Sequence, residues 1–172
     1  MRILGTYNNY PFSKIIRFIT GDSISHVILI FDDLIGFHAN PNGTGFVWAD
    51  EFLKKNKIKY NIGLPLDLVS EEQVFFVVIA GRKRKPYDWL GVIYQGVRRI
   101  KSELFKSPIP LDNKWADPNK DFCVEVLRSI PWDSVKSGLQ EKFNQLPLEM
   151  MSPEEIILTI KQMLEDENGT NS

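Results

Sequence analysis

Cysteine is almost absent: the 172 residues hold one, Cys123. A single thiol forms no internal disulfide, so nothing calls for an oxidising compartment, and Cys123 is left to packing, metal ligation or nucleophilic chemistry. Long apolar runs are missing as well, and no stretch nears the roughly 18 residues that a spanning helix needs. The opening residues, Met1 to Pro11, lack the basic segment, apolar run and small-residue cleavage site of a secretory signal. The expectation is a soluble chain, cytoplasmic as synthesised, with a virion component or a delivered effector as a further setting. Two Asn-Gly-Thr tripeptides, at Asn42 and Asn168, fit a glycosylation acceptor but carry little weight without secretion, and the first reads as a turn. A dominant charge is missing too: 21 Lys and Arg face 22 Asp and Glu. That balance argues against wholesale nucleic-acid binding. There are no repeats and no low-complexity segments.

What is present suits one ordinary domain. With 43% apolar and 25% charged side chains, residues 1–166 can build a single core, followed by a polar tail at 167–172. Charge is uneven along the chain. Between Arg82 and Lys106 stand Arg82, Lys83, Arg84, Lys85, Arg98, Arg99, Lys101 and Lys106, against Asp88 and Glu103. This basic segment is either a solvated face or a contact for an anionic surface, phosphate or lipid headgroups.

Periodicity and turn chemistry divide the chain. Phe12, Ile15, Ile16 and Ile19 recur at helical spacing over 11–20, with Gly21 available to stop the helix. The apolar, β-branched run at 24–31 reads as a strand, and Asp32, Asp33 and Gly36 turn it into a second strand at 37–39. A third strand is expected at 45–49, a helical turn at 50–56 and another strand at 57–65. Over 69–82 local signals conflict. Ser70 to Gln73 has the form of a capping box, whereas Val74 to Ile79 favour strand. From Pro86 a helix is expected with Leu90, Ile93, Tyr94, Val97 and Ile100 on one face. A loop follows at 108–119, then a helix at 122–130 stopped by Pro131. Ser152, Pro153 and Glu155 carry the signals of a capped helix start, opening a helix to about Leu164 with a frayed tail beyond.

Chemistry concentrates on three residues. Cys123 stands in the first turn of the expected helix, where free amides and the helix dipole favour a thiolate, and its own amide is placed to donate to an oxyanion. A thiolate needs a proton partner, and imidazole is the side chain suited to it near neutrality. Only His26 and His38 are available. His26 sits in a strand that is otherwise apolar, as either a base or a core His bonded to a backbone carbonyl. His38, twelve residues on, falls beside it across the hairpin and is the candidate to orient it, as the third member of a triad does. Two His and one Cys are also plausible Zn ligands, but no zinc spacing is present, so neither metal nor cofactor is expected.

These residues, in this order, resemble the circularly permuted branch of the NlpC-type papain-like cysteine hydrolases, which includes the lecithin:retinol acyltransferase-like proteins. Ser25-His26-Val27-Ile28-Leu29-Ile30, through His38-Ala39, is similar to the family's catalytic His strand and the next strand with its third polar residue. Pro86-Tyr87-Asp88-Trp89 resembles the Tyr-Asp element that opens the central helix. Phe122-Cys123-Val124-Glu125-Val126-Leu127 resembles the nucleophile helix, though Val124 stands where many relatives carry Ser. Met151-Ser152-Pro153-Glu154-Glu155 resembles the late Pro-containing element. The resemblance also favours a helix over 69–82.

The resemblance implies an α+β, papain-like fold with a small antiparallel sheet packed against helices. It implies a cysteine hydrolase, amidase, peptidase or esterase in type, working through an acyl-enzyme on a peptide, a cell-wall peptide or a lipid. Cys123 would be the nucleophile, His26 the base and acid, His38 its orienting partner, and Tyr87 a lining residue. Two alternatives stay open. One is a catalytically silent papain-like module for binding or assembly, as in a virion or toxin, to which Val124 and the basic segment point. The other is a lipid-directed acyltransferase.

Overall fold

The strand that organises the sheet is one that the sequence pattern hides. The computed structural model describes residues 1–66, 68–81, 85–88, 90–94, 97, 106, 123–135 and 137–169. In it, β1 (Arg2–Tyr7) lies between β2 (His26–Phe31) and β5 (Lys57–Gly63). Adding β3 (Ile35–Asn40) and β4 (Gly43–Trp48) gives a five-stranded antiparallel sheet in the order β4-β3-β2-β1-β5. Ile3 and Leu4, adjacent and facing opposite ways, are both fully buried. A strand covered on both faces shows no polar alternation, which is why β1 leaves no period-two signal.

The β2–β3 hairpin turns on Asp32 (φ 44°) and Asp33 (φ 58°), both left-handed, with the Leu34 amide donating to the Phe31 carbonyl at 3.0 Å. Aspartate tolerates this conformation and its twist suits the flanking strands. The turn sets the register Leu29↔Phe37, Ile30↔Gly36 and Phe31↔Ile35. Residues 26, 28 and 30 therefore share one face of the sheet with 36, 38 and 40, while 27, 29 and 31 share the other with 37 and 39.

The two faces are covered unequally. Ile3, Val27, Leu29, Phe31, Phe37 and Ala39 join the main core, which includes Cys123, Val124, Val126, Leu127, Trp132, Ile156, Ile157 and Ile160. That layer comes from α1 (Pro11–Thr20), α3 (Leu68–Gly81), the 3₁₀ helix Glu125–Ser129, α4 (Trp132–Val135), α5 (Leu139–Asn144) and α6 (Pro153–Gly169). On the other face, among the described residues, Leu4, Ile28 and Ile30 cluster with Ala49 and Phe52 of α2 (Ala49–Lys55), flanked by Val47 and Leu53. Burying a Leu or Ile contributes about 1.5–3 kcal/mol, so the many-membered layer supplies most of the stabilisation.

Several local expectations are met and others corrected. Helix α1 begins at Pro11 and ends on Gly21 at φ 71°. Ser152 and Glu155 form a reciprocal capping box, with Glu155 N donating to Ser152 Oγ at 3.3 Å and Ser152 N to Glu155 Oε2 at 3.2 Å. Helix α6 then runs to Gly169, past the expected end at Leu164. Helix α3 prevails over the strand propensity of 74–79, since Val74 and Phe75 pack into the core, but it starts at Leu68, so Ser70 is not its cap. After Tyr87 the helical residues are 90–94, begun by Asp88 rather than Pro86: Asp88 Oδ1 accepts from Gly91 N at 3.0 Å. That start turns Val92 inward and leaves Leu90, Ile93 and Val97 exposed, opposite to the expected face. Most of the basic segment 82–106 and the loop at 108–119 lie outside the described residues. No helix among the described residues is long and apolar enough to cross a membrane.

Candidate active site

Three polar side chains form a row on the α2 face. His26 opens β2, and His38 and Asn40 follow at even spacing on β3. His26 Nε2 and His38 Nδ1 are 2.8 Å apart, with the rings edge to face at 4.9 Å between centroids. Asn40 Nδ2 donates to His38 Nε2 at 3.1 Å, and Asn40 Oδ1 accepts from the Asn42 amide at 2.8 Å. Phe52 closes over both rings, with centroids at 5.8 Å from His26 and 5.4 Å from His38. Burial lowers both imidazoles, His38 to about 4 and His26 well below its ordinary value, the latter helped by repulsion from His38. The pair is neutral at physiological pH.

Asn40 is the member that sequence reasoning missed. Its signal was available: two residues beyond His38 it keeps the same strand face, and an Asn two residues before an amide at a turn is a favoured acceptor.

A groove of about 290 Å³ opens beside the row, lined by His26, His38, Asn40, Tyr10, Phe12, Asn8 and Tyr87 among others. Among the described residues, no Lys, Arg, Asp or Glu lines it. Asn8 is braced at its rim, Nδ2 donating to Asn56 Oδ1 at 2.7 Å. Below it, Ser13 and Ser25 hydroxyls are hydrogen-bonded at 2.6 Å.

Cys123 lies elsewhere. It belongs to the core on the opposite face, 2% exposed, and no hydrogen bond joins it to His26 or His38 among the described residues. The backbone amides of Val27, next along the chain from His26, and of Cys123 itself favour the thiolate, but less than burial opposes it. The expected helix at 122–130 is a turn at 123–124 followed by the short 3₁₀ helix Glu125–Ser129. So brief an element has little dipole to offer. Burial, with Asp22 and Glu125 adding repulsion, pushes the thiol up to about 12, the reverse of the activation expected at a helix start. A cavity of about 10 Å³ beside it, bounded by Ile16, Thr20, Ser25, Tyr87, Val92 and Pro153, admits at most a water. Ile16, Ser25 and Tyr87 wall both this cavity and the groove.

Tyr87 is 6% exposed, meets Phe12 edge-on at 6.3 Å, and has its phenol pushed well up by burial, with Cys123 and Asp88 adding to it. Near the start of α6, Asp22 accepts from Ser152 Oγ and Glu154 N at 3.0 Å each, and Glu154 accepts from Ser23 and Tyr60. This ties the α1–β2 loop to α6 just before His26. Among the described residues, no group of three or more His, Cys, Asp or Glu is arranged to hold a metal ion. Compared with known proteins, the chain matches no family model, no curated protein and no solved structure.

Proposed function

We propose that this chain is a papain-like cysteine hydrolase, akin to the permuted NlpC branch, in a resting form. The observation that supports it is the row His26–His38–Asn40 set along a groove. Imidazoles hydrogen-bonded in sequence beside a groove are the arrangement that orients a general base. In the reaction, Cys123 gives its proton to His26 and attacks the acyl carbonyl of an amide or ester. The tetrahedral adduct then expels the leaving group, which takes the proton from His26, and the thioester that remains is cleaved by water to free the acid and the thiol. The residues walling both cavities, Tyr87 above all, are those that must shift for the sulfur to reach the groove.

The test is hydrolysis of a panel of neutral aryl esters and acyl peptides, with mass detection of an acyl adduct on Cys123. Cys123→Ala and His26→Ala should each lower turnover by about 100-fold or more. Full activity in Cys123→Ala refutes the reading.

A second reading, a silent papain-like module for binding or assembly, is favoured by the closed, protonated thiol. It predicts no turnover of any acyl substrate and ligand binding indifferent to Cys123→Ala. A lipid acyltransferase would rest on the basic segment, most of which lies outside the described residues. Salt-dependent binding to anionic vesicles is its measurement.

A further inference from the structure

The direction of the hydrogen bonds along the row is fixed from one end. The Asn42 amide can only donate, and it points at Asn40 Oδ1 at 2.8 Å. The other half of that carboxamide, Nδ2, can only donate as well, and it faces His38 Nε2 at 3.1 Å. His38 Nε2 therefore accepts, and the proton of this neutral ring sits on Nδ1. That Nδ1–H donates to His26 Nε2 at 2.8 Å, which leaves the proton of His26 on its own Nδ1. The His26 Nδ1–H has no protein partner among the described residues, on a ring that lines the groove.

We propose that Asn40 is a positioning residue that sets the proton order of the histidine pair, holding His26 as a hydrogen-bond donor whose only lone pair is already occupied. The inference rests on the reading that His26 serves Cys123. In this state His26 cannot take the thiol proton: Nδ1 is protonated and Nε2 is engaged. Were His26 protonated at Nε2 as well, that N–H would face the Nδ1–H of His38, donor against donor. Reversal needs His38 to carry its proton on Nε2 and to accept at Nδ1, with Asn40 offering Oδ1 in place of Nδ2. Each ring keeps one proton throughout, and the carboxamide must rotate by half a turn, giving up the Asn42 amide. The row is thus both a support for the base and a lock on it.

Nitrogen-15 NMR of the imidazoles at neutral pH, where both rings are neutral, reads the tautomers directly. In wild type, His26 and His38 should each appear protonated at Nδ1 and unprotonated at Nε2, with the other tautomer at least tenfold rarer. Asn40→Ala should turn this single pattern into a mixture, and Asn40→Asp, which can only accept, should place a proton on His38 Nε2. Wild-type protein with the proton on Nε2 of either ring overturns the proposal, as does an Asn40→Ala variant that keeps the wild-type pattern. The wild-type measurement needs no variant to fold. A protein with the expected tautomers but no hydrolysis ends the hydrolase reading and leaves the positioning role standing.

Discussion

The face of the sheet under α2 and the face under α6 are built by alternation from the same strands, yet they treat their reactive groups in opposite ways. Under α2 a thin cover of Ala49 and Phe52 leaves His26 and His38 hydrogen-bonded, neutral and beside a groove. Under α6 a many-membered core encloses Cys123 with a cavity of about 10 Å³ and keeps it a thiol. Consecutive residues of β2 show the contrast at its closest. The His26 side chain goes to one face, while the Val27 side chain joins the core that holds Cys123 on the other. Closeness along the chain is therefore no guide to chemical contact across a sheet. Side-chain parity decides it.

The largest expected effect tests the closed face. A rise from 9 to about 12 lowers the thiolate fraction at neutral pH by about a thousandfold. Iodoacetamide should therefore modify Cys123 far more slowly than free cysteine. Tyr87→Ala, which removes a wall shared with the groove, should recover part of the rate. Alkylation as fast as free cysteine breaks the comparison, since both faces would then be open.

Next in size is a pH effect on the α2 face. His38 titrates near 4 when folded and near 6.5 when unfolded, and His26 is displaced in the same direction. Between those values the unfolded chain binds more protons, so this contribution to stability is complete above about pH 6.5 and is lost as pH falls toward 4. For His38 alone the loss is about 3 kcal/mol. Urea unfolding at neutral pH and near pH 5 should show it, and His38→Leu should flatten the difference where Cys123→Ala does not. The thiol has the mirror-image window: its contribution is lost only as pH climbs from 9 toward 12. A histidine variant with an unchanged acid slope would remove the burial argument for the row.

Much of the α2 face was legible in the sequence. Asp32 and Asp33 mark the turn that makes the hairpin, and the register that this turn sets, Leu29↔Phe37 and Ile30↔Gly36, puts His26 and His38 on one face, where a slip of one residue would have parted them. The capping box at Ser152 was legible for a similar reason, since its partners are three residues apart. Cys123 was not legible in the same sense. Its layer depends on how a segment some hundred residues away in the chain packs against β2, and no local period encodes that choice. Nor did the pattern announce β1, buried on both sides, or the inward turn of Val92, which follows from the Asp88 cap rather than from apolar spacing. Short-range geometry is written in the sequence, and the pairing of layers is written only in their packing.

The smallest effect probes whether the two faces are independent. A Cβ at Gly36 would sit 2.6 Å from Ile28 Cδ1, 3.2 Å from Ile30 Cδ1 and 3.2 Å from Val47 Cγ1, all on the α2 face. These are ends of side chains and can give way, so Gly36→Ala should cost about 1–2 kcal/mol by overpacking. The strain falls between β2 and β3, two residues from His38 and beside the neighbours of Phe52. The imidazole resonances of His26 and His38 should shift, while the alkylation rate of Cys123 stays at the wild-type value. A variant that moves both would mean that the sheet passes strain from the histidine row to the thiol. That coupling is what a hydrolase would need to open its nucleophile when the groove fills, so the same substitution that tests the separation of the faces also tests the route between them.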